Sequence, residues 1–209
     1  MSISLDEAWE QEAQEAYETE LVENALKEIS YDGISHYLFQ YGHAIQTRVE
    51  KCLKSAKDLH KEKKYGPSIV CSCTSVEVTI KYFMLRPLMQ GAFLSDEWAE
   101  LLTKRILSGK AANDRQMLPS ILKSYGIIIN DIKLQSGEPV WQVLYERIWK
   151  ARNKYAHQGD PVSRQLSAQG IKAATRMTKL ANDVLVKALE WKKGDHQFGS
   201  EKHGKSPFT

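Results

Sequence analysis

The sequence predicts an all-α fold, an up-and-down helical bundle carrying an extra acidic helix at its N-terminus and a short helical and loop insertion. Three observations lead there. Apolar side chains recur at helical spacing along nearly every segment. Breaks at Asp32-Gly33, Gly66-Pro67 and Gly159-Asp160-Pro161 divide the chain into helix-length pieces. A hydrophobic content of 42% with 9% aromatics is that of a globular chain rather than a disordered one.

Residues 1–32 form the acidic helix. Leu5, Trp9, Tyr17, Leu21, Leu26 and Ile29 supply its stripe, and Asp32-Gly33 is expected to end it. A second helix, about 34 to 62, places Tyr37, Leu38, Tyr41, Ile45, Val49, Cys52 and Leu53 on one face and closes on Lys61, Lys63 and Lys64. Gly66-Pro67 opens the third, with proline suited to the first helical position. Its β-branched run over 69–80 would suit a strand, but the stretch is too long and its period is helical. Over 87–137 a cap at Ser95-Asp96-Glu97 predicts a helix to about Leu107, and a short helix is expected near 117–124. Lys110, Arg115, Lys123 and Lys133 make this insertion basic. A helix over 138–157 and another over 163–192 complete the 33–192 domain. Residues 193–209 are polar, Gly-containing and expected to be disordered.

Charge is divided along the chain. Residues 1–32 hold ten acidic side chains and one basic, Lys27, a net of −9, so the other 177 residues carry +12 of the total +3. A body that basic attracts polyanions, nucleic acid first among them. No apolar run reaches the ~20 residues of a membrane span, and the N-terminus lacks the pattern of a secretory signal. Three cysteines, Cys52, Cys71 and Cys73, suggest no disulfide framework, so a reducing cytoplasm is expected. Cys71-Ser-Cys73 has no second ligand pair at metal spacing; it reads as small packing residues, with no metal or cofactor expected.

Two charges are stranded on apolar stripes. Arg152 follows Trp141, Leu144, Tyr145 and Ile148 at helical spacing and precedes Tyr155. Glu77 lies within the arc of Ile69, Val70, Cys73, Val76, Ile80, Phe83 and Met84. A buried charge needs a partner, so the sequence predicts a contact between Glu77 and Arg152. Losing a buried partner typically costs ~3 to 5 kcal/mol, and Glu77→Gln is expected to lower both stability and activity. Asn153 and His157, four apart, share a second face of the Arg152 helix. One helix thus offers an anion clamp and a proton-transfer group.

The string Arg152-Asn153-Lys154-Tyr155-Ala156-His157 resembles the signature of the HEPN family: an Arg, a polar residue, and a His with four to six residues between the ends. The resemblance covers about residues 34–192. It implies a HEPN-type bundle and a metal-independent endoribonuclease acting as a homodimer, with the motif helices of two subunits forming one composite site. It further implies Arg152, Asn153, His157 and Glu77 as catalytic residues and RNA as substrate. A toxin or antiphage-defence role follows from the family, with an antitoxin or other defence-system protein as a further partner. In HEPN toxins paired with nucleotidyltransferase antitoxins, a Tyr two residues after the His is modified; Gly159 stands there in this chain. The alternative is a HEPN-like module that binds nucleotide, RNA or protein without cleavage.

Overall fold

The computed structural model describes residues 5–91, 101, 104–105, 112–124 and 126–188. Of these, 85% are helical and none lies in a strand. The order is α1 (Leu5–Lys61), α2 (Tyr65–Val78), a π-turn segment (Thr79–Leu85), α3 (Arg86–Gly91) and α4 (Ala112–Ser124). Then come a 3-10 turn (Ile129–Asp131), α5 (Val140–Val143), a second π-turn segment (Leu144–Ile148), α6 (Trp149–Gln158) and α7 (Arg164–Ala188).

Two boundaries differ from the sequence expectation. The break predicted at Asp32-Gly33 is absent, and α1 runs through it as one 57-residue helix. Gly inside a helix costs only ~1 kcal/mol against Ala. Ile34, Tyr37 and Leu38, directly after it, are buried in the core and hold the helical register. On the N-terminal stretch, Tyr17 is 59% exposed rather than packed; the other stripe residues before Gly33 lie outside the described side chains. In the insertion, α4 begins several residues earlier than expected and buries Leu118 and Leu122. Most of the predicted 95–107 helix, and all of the 193–209 tail, fall outside the described residues.

The core joins four helical rods. Ile45 and Val49 of α1, Ile69, Cys73 and Val76 of α2, Ile80 and Met84 beyond it, Leu144 and Ile148 before α6, and Ala174, Met177 and Leu180 of α7 are all buried together. The α2 rod is apolar enough to match a membrane span by length and composition over Tyr65–Leu88, with mean hydropathy 1.3, which the sequence reading missed. Two thirds of that window is covered by the neighbouring helices, the position of a core helix.

One face of α2 is lined with hydroxyls. Ser68, Ser72, Ser75 and Thr79, spaced four, three and four, have no exposed surface. Ser68 Oγ donates to the Ala56 carbonyl (2.7 Å) and Ser167 Oγ donates to Ser68 Oγ (2.9 Å). Each hydroxyl has one proton, so the 2.9 Å contact between Ser167 Oγ and His60 Nδ1 must be donated by the imidazole. This chain of bonds ties the end of α1, the start of α2 and the start of α7 into one end of the bundle.

Candidate functional site

The opposite face of α2 meets the motif helix. At 100° per residue, Gly66, Cys73 and Glu77 lie within roughly 40° of one another and about 150° from the centre of the hydroxyl column. Gly66 receives the Tyr155 ring: a Cβ there would fall 2.1 Å from Tyr155 Cε2, so only hydrogen at this position lets the ring lie against the backbone. Tyr155, expected to pack, therefore fixes the end of α6 against the start of α2. Pro67 occupies the third helical position of α2 rather than the first, still inside the turn whose N–H groups have no helical acceptor.

Farther along the same interface, Arg152 Nη2 donates to Glu77 Oε1, and Arg152 Nη1 donates to the neighbouring Asn153 Oδ1 at 2.9 Å. Both members of the ion pair keep part of their surface in solvent, 28% for the Arg152 side chain and 31% for Glu77. The pair expected to be buried is only partly so, because α6 buries no residue completely and its charged side sits at the rim of the bundle. Burial still raises the Glu77 carboxyl above its ordinary range; the Arg152 charge and hydrogen bond offset this only in part. The Cys73 thiol, one turn before Glu77 and 1% exposed, is pushed up to about 12 by burial first and by the Glu77 charge second, with Arg152 pulling the other way. It is a neutral floor beneath the pair. Cys52, Cys71 and Cys73 are free thiols.

His157 stands apart from this cluster. Five residues from Arg152, it is rotated by about 140° around the helix and is exposed. It shares its face with Asn153, also exposed. Within one chain the structure brings together Glu77, Arg152 and Asn153, and leaves His157 on the solvent side one turn beyond. Gly159 closes α6 in the left-handed region (φ 74°), its N–H donating to the Tyr155 carbonyl at 3.1 Å. A Tyr there would be strained, which gives a backbone reason for its departure from the modified-Tyr pattern.

Cys73 packs in the core, as its small size and position predict, and its spacing of four also sets it beneath the Glu77 pair; one feature at the site escaped the sequence reading. The π-turns, one beginning two residues after Glu77 and one ending four residues before Arg152, carry no sequence signature. A turn of this kind widens the helix and rephases the face that follows it. Among the described residues, no three His, Cys, Asp or Glu side chains converge as a metal-ligand group. Compared with protein-family models, curated proteins and solved structures, the chain matches none.

Proposed function

We propose that this chain is a metal-independent endoribonuclease with a HEPN-type arrangement, cleaving RNA by attack of the 2′-hydroxyl on the adjacent phosphorus. The observation that carries the reading is the held guanidinium. Arg152 is fixed by Glu77 and Asn153, His157 faces solvent one turn farther along the same helix, and the guanidinium has further N–H donors with which to meet a phosphoryl oxygen.

In the reaction the 2′-oxygen bonds to phosphorus and the bond from phosphorus to the 5′-oxygen breaks. One imidazole takes the 2′-hydroxyl proton and another protonates the leaving 5′-oxygen, giving a 2′,3′-cyclic phosphate and a 5′-hydroxyl. Arg152 stabilises the charge that develops on the non-bridging oxygens. Glu77 and Asn153 orient it. One chain has a single motif histidine, directed away from its own Arg152, so two chains related by a two-fold axis supply the pair of imidazoles and set the His157 of each near the Arg152 of the other. A toxin or defence effector is the role that suits such an enzyme, with an inhibitory protein partner.

The second reading is a HEPN-like binding module for nucleotide, RNA or protein. One observation favours it: Arg152 is already neutralised by Glu77, as an inter-helix strut would be. Cleavage of a labelled RNA in excess chelator separates the two. Loss of about 10²-fold or more in rate is expected for His157→Ala, and mixed dimers of His157→Ala with wild-type chains should lose activity out of proportion to their wild-type content. An active His157→Ala protein, strict dependence on a divalent ion, or proportional activity in mixtures would overturn the composite enzyme.

A further inference from the structure

Several exposed basic side chains share the end of the bundle that carries His157. The contacts of Tyr155 with Gly66, of Ser167 with Ser68 and of His60 with Ser167 draw four chain ends together: the end of α1, the start of α2, the end of α6 and the start of α7. On that end Lys61 pairs with Asp58 (3.7 Å) and Lys64 with Glu62 (2.8 Å). Lys63, Lys154 and Arg164 are exposed there and make no ion pair among the described residues, with the exposed Asp160 the acidic neighbour in the α6 to α7 link. Lys63 closes α1 in the left-handed region, φ 62°, with Lys64 N–H donating to the Leu59 carbonyl at 2.9 Å. A shallow groove of about 420 Å³, lined by Lys54, Lys57 and Lys61 with Glu50 and Asp58, continues from this end along α1.

We infer that this end of the bundle is a binding surface for the phosphate backbone of single-stranded nucleic acid, with Lys63, Lys154 and Arg164 as its contacts, delivering a strand to His157. The inference rests on the nuclease reading only for what happens at His157; the binding itself does not need cleavage. These three cations, without an ion pair among the described residues, come from three separate elements at one end of the bundle, and a flexible polyanion can meet all three at once. The basic insertion is the competing surface. Its Lys133 is bridged to Pro139 at the start of the motif helix. That is roughly 30 Å along the axis from His157 at 1.5 Å per residue.

The test is binding of a fluorescent single-stranded DNA, which lacks the 2′-hydroxyl nucleophile, and of the matching RNA, to the full chain across a salt series. Lys63→Glu/Lys154→Glu/Arg164→Glu should weaken both by about tenfold or more and reduce the salt slope by about 2, as three lost phosphate contacts require. Lys123→Glu/Lys133→Glu/Lys179→Glu, an equal charge change on exposed positions elsewhere, should weaken them by less than about threefold. Lys63→Gly removes one contact while relieving the left-handed backbone, so weaker binding with an equal or higher Tm separates binding from folding. Equal weakening by both triple variants, or none by the first, overturns the surface. If the first triple variant loses binding while no RNA is ever cleaved, the surface stands and the nuclease reading falls; if RNA is cleaved and the triple variant binds and cleaves like wild type, the reverse holds.

Discussion

The two polar faces of α2 are made on the same helix and behave oppositely. The hydroxyl column is neutral, fully buried, and each bond in its chain runs from one donor to one acceptor, from His60 through Ser167 and Ser68 to the Ala56 carbonyl. The Gly66, Cys73 and Glu77 face is buried at its first two residues, carries a charge at Glu77 whose side chain is 31% exposed, and holds a guanidinium with donors to spare. A neutral network completed inside the core has nothing left to offer a ligand. A charge at the rim of the core is disfavoured by burial yet still reachable, a combination that occurs at sites of chemistry and in structural ion pairs alike.

The sharpest contrast between the faces comes from Arg152→Ala. On the nuclease reading it removes the charge that stabilises the phosphorane and lowers the cleavage rate by about 10²-fold or more. It also leaves Glu77 without its cation. The full loss of ~3 to 5 kcal/mol for a buried pair shrinks to about 1–2 kcal/mol here because the pair is partly in water. Urea unfolding and single-turnover cleavage measure the two effects; an inactive protein of unchanged stability would mean the pair does not hold the helices together.

Gly66→Ala should have the next largest effect, since the new methyl group displaces the Tyr155 ring and moves α6. A loss of about 1–3 kcal/mol is expected, with reduced activity because the Arg152 helix shifts with it. Adding Tyr155→Ala should return part of the stability, and failure to do so would show that the ring is not what clashes.

On the hydroxyl face, Ser68→Ala strands the Ser167 proton and the Ala56 carbonyl together. The expected cost is about 1–3 kcal/mol in thermal or urea unfolding, with the activity of each folded molecule unchanged. A strong loss of activity at unchanged Tm would reassign that face to chemistry.

The smallest effect is the most diagnostic of sign. Folding raises the Glu77 carboxyl, so the folded state binds its proton more tightly than the unfolded chain, and stability falls as pH climbs from the ordinary glutamate value through the raised one. Glu77→Gln removes that loss. At neutral pH it should match or slightly exceed wild type in unfolding free energy, by less than about 1 kcal/mol at this exposure, and the two should converge in acid. This reverses the stability effect that the sequence alone suggested, while the expected drop in activity is retained because Gln cannot orient a cation as firmly. A Gln variant that is least stable at neutral pH would show the ion pair to be net stabilising.

How much was legible follows from what kind of information each feature needs. Periodicity alone specified an all-α chain and the core faces of the helices at 34–62, 67–86 and 138–157, because burial of one stripe repeats every 3.6 residues and leaves its trace in composition. It also exposed Glu77 and Arg152 as charges out of place, and with one on each of two apolar stripes their meeting could be deduced. Other features could not be read there. A glycine and an aspartate at 32–33 look like a stop, but tertiary burial of Ile34, Tyr37 and Leu38 outweighs a local penalty of ~1 kcal/mol. The depth of the ion pair depended on where the rim of the bundle falls, a property of neighbouring helices rather than of spacing. So did the separation of His157 from Arg152: the sequence put both on one helix, and only the packing of Tyr155 on Gly66 and Arg152 on Glu77 fixed which side faces the core and turned the histidine to solvent.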